Sequence, residues 1–318
     1  MSMTQRLKKF TMLSKLKILI LLSLFMLGCQ RSIYHSAEHA TSNKPLVVNG
    51  TEIDISIFPR TVALVTSKKG YIFCTGTIVS SDLIMTAAHC VSGMQGKQFY
   101  IIHNCQRLKG CNNIVAVKTF SIHHNYDQTK KHWNDIAVLL LNKQIFLDTD
   151  VTILHPSQYK NVLKENTDIA VVGYGRSSDR GAGGILRAGM TKVTKRYKKE
   201  IILGQDLPEQ ANVCFGDSGS SFYIFHKGTK YAAGIASRLL VQSSEQMCGG
   251  GSVYTLDGEY RNWILKEYTR MLTNTLPETN HMKVHSGCNI SYTNHSGIHL
   301  YGYIVMCFML FIRKLFNA

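Results

Sequence analysis

From residue 61 to residue 225 the chain repeats one kind of pattern. Short runs in which apolar residues alternate with polar ones, or stand uninterrupted, occupy 61–65, 71–79, 99–102, 114–117, 135–141, 168–172 and 222–225, and clusters of Gly, Asn and Ser part them. Period-two alternation and brief apolar runs of this length predict strands, and so many at short spacing predict an all-β sandwich or barrel. One stretch changes period. Tyr260, Trp263, Ile264, Tyr268, Met271 and Leu272 recur at helical spacing and predict a single closing helix, with Asp257 as its N-cap.

Two apolar runs at the ends do not fit the strand pattern. Residues 18–27 follow Arg6, Lys8, Lys9, Lys15 and Lys17 without an acid and lead into Met26-Leu27-Gly28-Cys29. Ten residues fall short of the ~20 that span a bilayer, so an export signal over 1–28 is expected. Leu27-Gly28-Cys29 resembles the lipobox of bacterial lipoproteins, although Met26 stands where Leu is usual. That resemblance implies removal of 1–28 and diacylation of Cys29, and Gln30 points to the outer membrane. Multiple acyl chains give durable anchoring. The second run, 300–312, precedes Arg313 and Lys314 and is also too short to span. An interfacial anchor, a marginal span, a sorting signal and a tail packed on the body all remain open for it.

Composition narrows the classes. With 45% hydrophobic residues, 25 Gly and 5 Pro in 318 residues, intrinsic disorder and collagen-like repeats are excluded. The formal charge of +16 raises nucleic acid or anionic membranes as partners. Five of those charges precede Cys29, so the mature chain is only moderately basic and nucleic acid is not expected. The run Lys192, Lys195, Arg196, Lys198 and Lys199 reads as a solvated surface, or as a patch for acidic polymers.

Three blocks carry candidate chemistry: Thr86-Ala87-Ala88-His89-Cys90, Asn134-Asp135-Ile136-Ala137-Val138 and Cys214-Phe215-Gly216-Asp217-Ser218-Gly219. A hydroxyl becomes a strong nucleophile when a base takes its proton, and an imidazole does so best when a carboxylate fixes its tautomer. His89, Asp135 and Ser218 supply those groups, in the order His, Asp, Ser. The blocks resemble the trypsin/chymotrypsin family of serine proteases. Val47-Val48-Asn49-Gly50, Gly173-Tyr174-Gly175 and Val253-Tyr254-Thr255 agree with it over about residues 47–272.

The resemblance implies a chymotrypsin-like double β-barrel with a C-terminal helix, no cofactor, and peptide-bond hydrolysis through an acyl-enzyme. It assigns His89, Asp135 and Ser218 to catalysis, the N–H groups of Gly216 and Ser218 to the oxyanion hole, and a pair between Asp217 and the freed amine of Val47 to activation. Cleavage after Leu46 would then release residues 47 onward from the acylated tether 29–46, unless the extension 273–318 holds the chain. It places Asn212 at the bottom of the primary pocket, with Ser237, Leu239 and Ser252 around it. An uncharged Asn212 implies a neutral pocket, because a buried Lys or Arg side chain needs a paired charge. Ser220 and Ser221 stand where the family has Gly and Pro.

By the same resemblance Cys74 pairs with Cys90 and Cys214 with Cys248. Cys105 and Cys111 enclose a short loop and read as a local bridge without a family counterpart, while Cys288 and Cys307 stay open. Bridges imply an oxidising compartment. No acid lies between Asp82 and Asp127, so a calcium loop there is not expected, and neither His123-His124 nor His132 stands at metal-ligand spacing. The reading from another functional class is a protease-fold lipoprotein that binds or adheres without catalysis.

Overall fold

A computed structural model of the chain describes residues 50–275, apart from 69–70, 130–131, 147–151, 208, 242 and 244–245. Cys29, Val47 and the segments 18–27 and 300–312 lie outside the described residues. Strand β1 (Thr51–Glu52) leads into β2 (Thr61–Val65), β3 (Ile72–Ser80), β4 (Leu83–Thr86), β5 (Tyr100–Ile102), β6 (Ile114–Ile122) and β7 (Ala137–Leu141). Strands β2 to β7 close into a six-stranded barrel in the order β2-β3-β4-β7-β6-β5. After β8 (Thr152–Ile153) come β9 (Asp168–Gly173), β10 (Arg187–Arg196), β11 (Glu200–Leu203), β12 (Ser221–His226), β13 (Thr229–Leu239) and β14 (Ser252–Thr255). These last six pair as β9-β10-β11-β14-β13-β12, and β12 returns to β9, so a second barrel closes. β1 pairs with β10 and β8 lies parallel to β13. The double barrel expected from the sequence is the observed fold.

The uninterrupted apolar runs have a geometric reason. Side chains alternate across a strand, so a strand whose two faces are both covered is apolar throughout. In β2, Val62 and Leu64 belong to the core of the first barrel, while Ala63 and Val65 turn outward into a second cluster. In β9, Ile169 and Val171 fill the second barrel, whereas Ala170 and Val172 join that same outward cluster. Phe58, Tyr174 and Tyr223 complete it, so it is the apolar seam between the barrels. Fully burying one such Val or Leu stabilises by roughly 1.5–3 kcal/mol.

The closing helix Arg261–Asn274 follows the second barrel in sequence but packs on the first. Its buried Ile264, Tyr268 and Met271 enter the core that holds β4 and β7. Tyr268 Oη donates to Asp82 Oδ1 at 2.6 Å, and Ser121 Oγ donates to Glu267 Oε2 at 2.7 Å. Asp257 does not cap this helix. It opens a separate 3-10 turn, Asp257–Tyr260, and the α-helix begins only after that turn. Asp257 is fully buried, and burial pushes its carboxyl up to about 7 against the pull of nearby backbone N–H groups. Disulfides join Cys74 to Cys90, Cys105 to Cys111 and Cys214 to Cys248. Among the described residues no helix is long and apolar enough to cross a membrane.

Candidate active site

His89 sits in the helical turn Ala88–Val91, directly after β4. Ala87 and Ala88 are fully buried, and the Cys74–Cys90 bridge ties the turn to β3. Asp135 lies just ahead of β7 and is fully buried, so its charge needs partners. It has three: the backbone N–H of His89 donates to Oδ1 at 2.9 Å, His89 Nδ1 stands 2.8 Å from Oδ2, and Ser237 Oγ donates to Oδ2 at 2.6 Å. A carboxylate accepts only, so Nδ1 carries the proton and Nε2 keeps its lone pair. His89 and Ser218 line one cleft of about 870 Å³ together with Gly216.

The loop of Ser218 is held from the opposite barrel. Thr75, on β3, donates its N–H to Ser218 O at 2.8 Å and its Oγ1–H to Gly216 O at 2.7 Å. Two residues along, Thr77 Oγ1 donates to Ser221 Oγ at 2.8 Å. Peptide planarity passes these restraints to the neighbouring N–H groups: that of Asp217 donates to Cys214 O at 3.0 Å and that of Gly219 to Ala236 O at 2.8 Å. Gly216 (φ 96°) and Gly219 (φ 84°) lie in the left-handed region, and a Cβ at 219 would collide with Thr86 Oγ1 and Thr75 O. The N–H groups of Gly216 and Ser218, expected as the oxyanion donors, therefore sit in a turn with little torsional freedom.

Asp217 is buried beneath that turn. Its Oδ1 accepts from Gly175 N at 2.7 Å and its Oδ2 from Cys214 N at 2.9 Å. A Cβ at Gly173 or Gly175 would strike this carboxylate, which explains both glycines of Gly173-Tyr174-Gly175. Burial pushes the Asp217 carboxyl up to about 6, opposed by those two N–H groups and by Arg187.

The raised value has a definite sign. A carboxyl held above its ordinary 3.8 in the fold contributes stability that is full below about 3.8 and is lost as pH rises through about 6. Asp217 thus disfavours the fold at neutral pH, by on the order of 3 kcal/mol, unless a further cation pairs with it. Asp257 acts in the same direction. His123, lowered to about 4 mainly by burial, acts in the opposite one. We expect Asp217→Asn to raise the melting temperature of the uncleaved chain at pH 7.5 far more than at pH 4.5, and equal shifts at both pH values would refute this.

The expected pocket residues are all close to the cleft, although not all on its surface. Leu239 lines it and pairs in register with buried Ser252. Asn212 is buried; its Nδ2 donates to the carbonyls of Gln210 and Gly249, both at 3.4 Å, and its Oδ1 faces Gly204. Ser237 faces Asp135, a partnership its expected place in the substrate strand does not announce. Arg238 lines the cleft as well and is held by both oxygens of Glu200, at 2.7 and 3.0 Å. Three contacts carry no sequence signal: the Thr75 bonds, the Arg238–Glu200 pair, and His132, which stands edge-to-face against His89 with ring centres 5.6 Å apart. The basic run is partly engaged. Lys192 pairs with Asp168, and Lys199 donates to Asn134 Oδ1 at 3.1 Å while lying over the Tyr260 ring.

Comparison with known proteins points the same way as this architecture. The family model described as Trypsin matches residues 47–264. Hypodermin-B of Hypoderma lineatum is 32% identical over 129 residues, covering 41% of this chain and 48% of the relative. Mouse vitamin K-dependent protein C is 27% identical over 243 residues, 69% of this chain and 51% of the relative. Bovine chymotrypsin-like elastase family member 1 is 27% identical over 172 residues, 52% of this chain and 62% of the relative. The chain spans about half the length of the first two. A matched region that runs through both barrels and into the closing helix leaves one assignment: the chain belongs to the trypsin family.

Proposed function

We propose that this protein is an exported serine endopeptidase. The observation that carries the reading is the bond of His89 Nδ1 to the buried Asp135 carboxylate beside a cleft that Ser218 also lines. Ser218 Oγ attacks the scissile carbonyl while His89 Nε2 takes its proton, and Asp135 stabilises the imidazolium. The N–H groups of Gly216 and Ser218 hold the oxyanion. Collapse expels the amine with the proton from His89, and water, activated by the same imidazole, hydrolyses the acyl-enzyme. The uncharged amide of Asn212 and the apolar Leu239 favour small or medium uncharged side chains before the cleaved bond. Cleavage between Leu46 and Val47 frees the amine that neutralises Asp217.

The test is covalent labelling by a fluorophosphonate, followed by a peptide library. Stoichiometric labelling at Ser218 with cleavage after uncharged residues is expected. A folded protein, cleaved after Leu46, that takes no label would leave the fold as a binding or adhesion module. Strong preference for cleavage after Lys or Arg would overturn the neutral pocket alone.

The lipobox-like sequence around Cys29 supports export to a bacterial cell envelope with a lipid anchor, and cleavage after Leu46 would release the enzyme from it. Palmitate incorporation that disappears in Cys29→Ser is expected. Secretion without acylation would refute the anchor.

A further inference from the structure

Among the described residues three groups of His, Cys, Asp or Glu lie close enough to share a metal ion. Two of them contain cysteines whose sulfurs are spent in the Cys74–Cys90 and Cys214–Cys248 bridges. The third is His89, His132 and Asp135, with one ring nitrogen of each imidazole and a carboxylate oxygen within 4.8 Å of one another. We propose that His89 and His132 form an inhibitory site for a divalent transition-metal ion, zinc above all, in the mouth of the cleft. The inhibition rests on His89 acting as the base. The binding does not.

Both rings are prepared for this. His89 Nδ1 is held by Asp135 at 2.8 Å, and His132 Nδ1 stands 3.0 Å from Tyr126 Oη. Each imidazole therefore offers Nε2 as its ligand atom, that of His89 lying 3.7 Å from the disulfide sulfur of Cys90, and Asp135 and Tyr126 are the outer groups that orient metal-binding histidines. His132 is fixed by its backbone too: its φ of 58° is a left-handed conformation for a side-chain-bearing residue, and it turns the ring against that of His89. Both histidines line the cleft, so water can fill the remaining positions of a tetrahedral ion.

The distances suit capture by side-chain movement alone. Ligands at ~2.0–2.1 Å on a tetrahedral ion stand about 3.3 Å apart, a spacing that two partly exposed rings with centres 5.6 Å apart can reach by turning about their side-chain bonds. Two imidazoles select zinc, copper or nickel over calcium and magnesium, which take oxygen ligands. An ion on Nε2 of His89 occupies the lone pair that would accept the Ser218 proton. Inhibition is then reversible and competes with substrate.

The experiment uses the purified protein carrying Ser218→Ala, which cannot digest itself. Cobalt absorption and zinc calorimetry should show one equivalent bound, lost in His132→Ala and His132→Gln and weakened roughly 10- to 100-fold in Tyr126→Phe. Near-ultraviolet circular dichroism verifies that each variant is folded. With Ser218 present, zinc should suppress turnover, a chelator should restore it, and the ratio of rates with and without zinc should return to about one in His132→Ala. Absent binding, or binding indifferent to His132, overturns the site. Binding that leaves turnover unchanged overturns the inhibitory role. A protein that binds the ion through His132 yet hydrolyses nothing without metal refutes the proposed peptidase activity, and leaves the metal site standing.

Discussion

Replacing Ser218 by Ala lowers kcat/KM on peptide substrates by about a million-fold and abolishes fluorophosphonate labelling. The size follows from the chemistry. With its hydroxyl gone, His89 has no nucleophile to deprotonate, and what remains is the binding and oxyanion contribution, about 10³- to 10⁴-fold over water. The scaffold is indifferent to the change, because the bonds that hold this residue in place are made by its backbone: Thr75 N donates to Ser218 O, and Gly219 N next to it donates to Ala236 O. Steady-state kinetics beside an unchanged melting curve is the measurement. Activity surviving within tenfold of the parent would transfer the nucleophile elsewhere.

The second large effect belongs to Asp135. Three donors converge on its carboxylate, from His89 N, His89 Nδ1 and Ser237 Oγ. An Asn there offers one acceptor oxygen and an NH₂ that must face a donor. The ring answers by moving its proton to Nε2, which disables it as a base, and turnover falls by about 10⁴-fold. Ser237→Ala removes only one of the three donors and should cost roughly 10- to 100-fold, since a hydrogen bond to a charged group is worth ~1.5–3 kcal/mol. The ratio between the two variants separates tautomer control from simple support. Equal losses would mean that Asp135 acts only as a scaffold.

Sequence made the barrels legible where strands are covered on both faces. The runs at 61–65 and 168–172 coincide with β2 and nearly with β9, because each is apolar toward a barrel core and toward the seam. The run at 135–141 begins two residues before β7, since Asp135 turns its carboxylate to His89 ahead of the ladder. β10 reads only as a solvated surface strand or loop, because Lys192, Lys195 and Arg196 interrupt its apolar pattern. β13 was hidden by Gly234, where the ring of Phe222 on β12 leaves no space for a Cβ. Asp257 misled because a helix start and a 3-10 turn share the same local signal.

The site divides along the same physical line. His89, Asp135 and Ser218 sit in turns with strong local signatures, so their blocks could be recognised one at a time. Thr75 could not, since its bond to Gly216 joins residues 141 positions apart. Nor could His132, whose neighbour His89 lies 43 residues earlier and meets it only when β4 and the stretch before β7 come together.

The threonine bonds of β3 make the active site part of the joint between two halves. Thr75 and Thr77 belong to one barrel, and Gly216, Ser218 and Ser221 to the loop and strand of the other. Neither core contains a working nucleophile loop by itself, however well it is packed. For the proposed peptidase, turnover is therefore a gauge of docking: a lesion that loosens the joint by an ångström should silence it while both halves remain folded. Variants of that kind would pass every spectroscopic check for structure and still be dead.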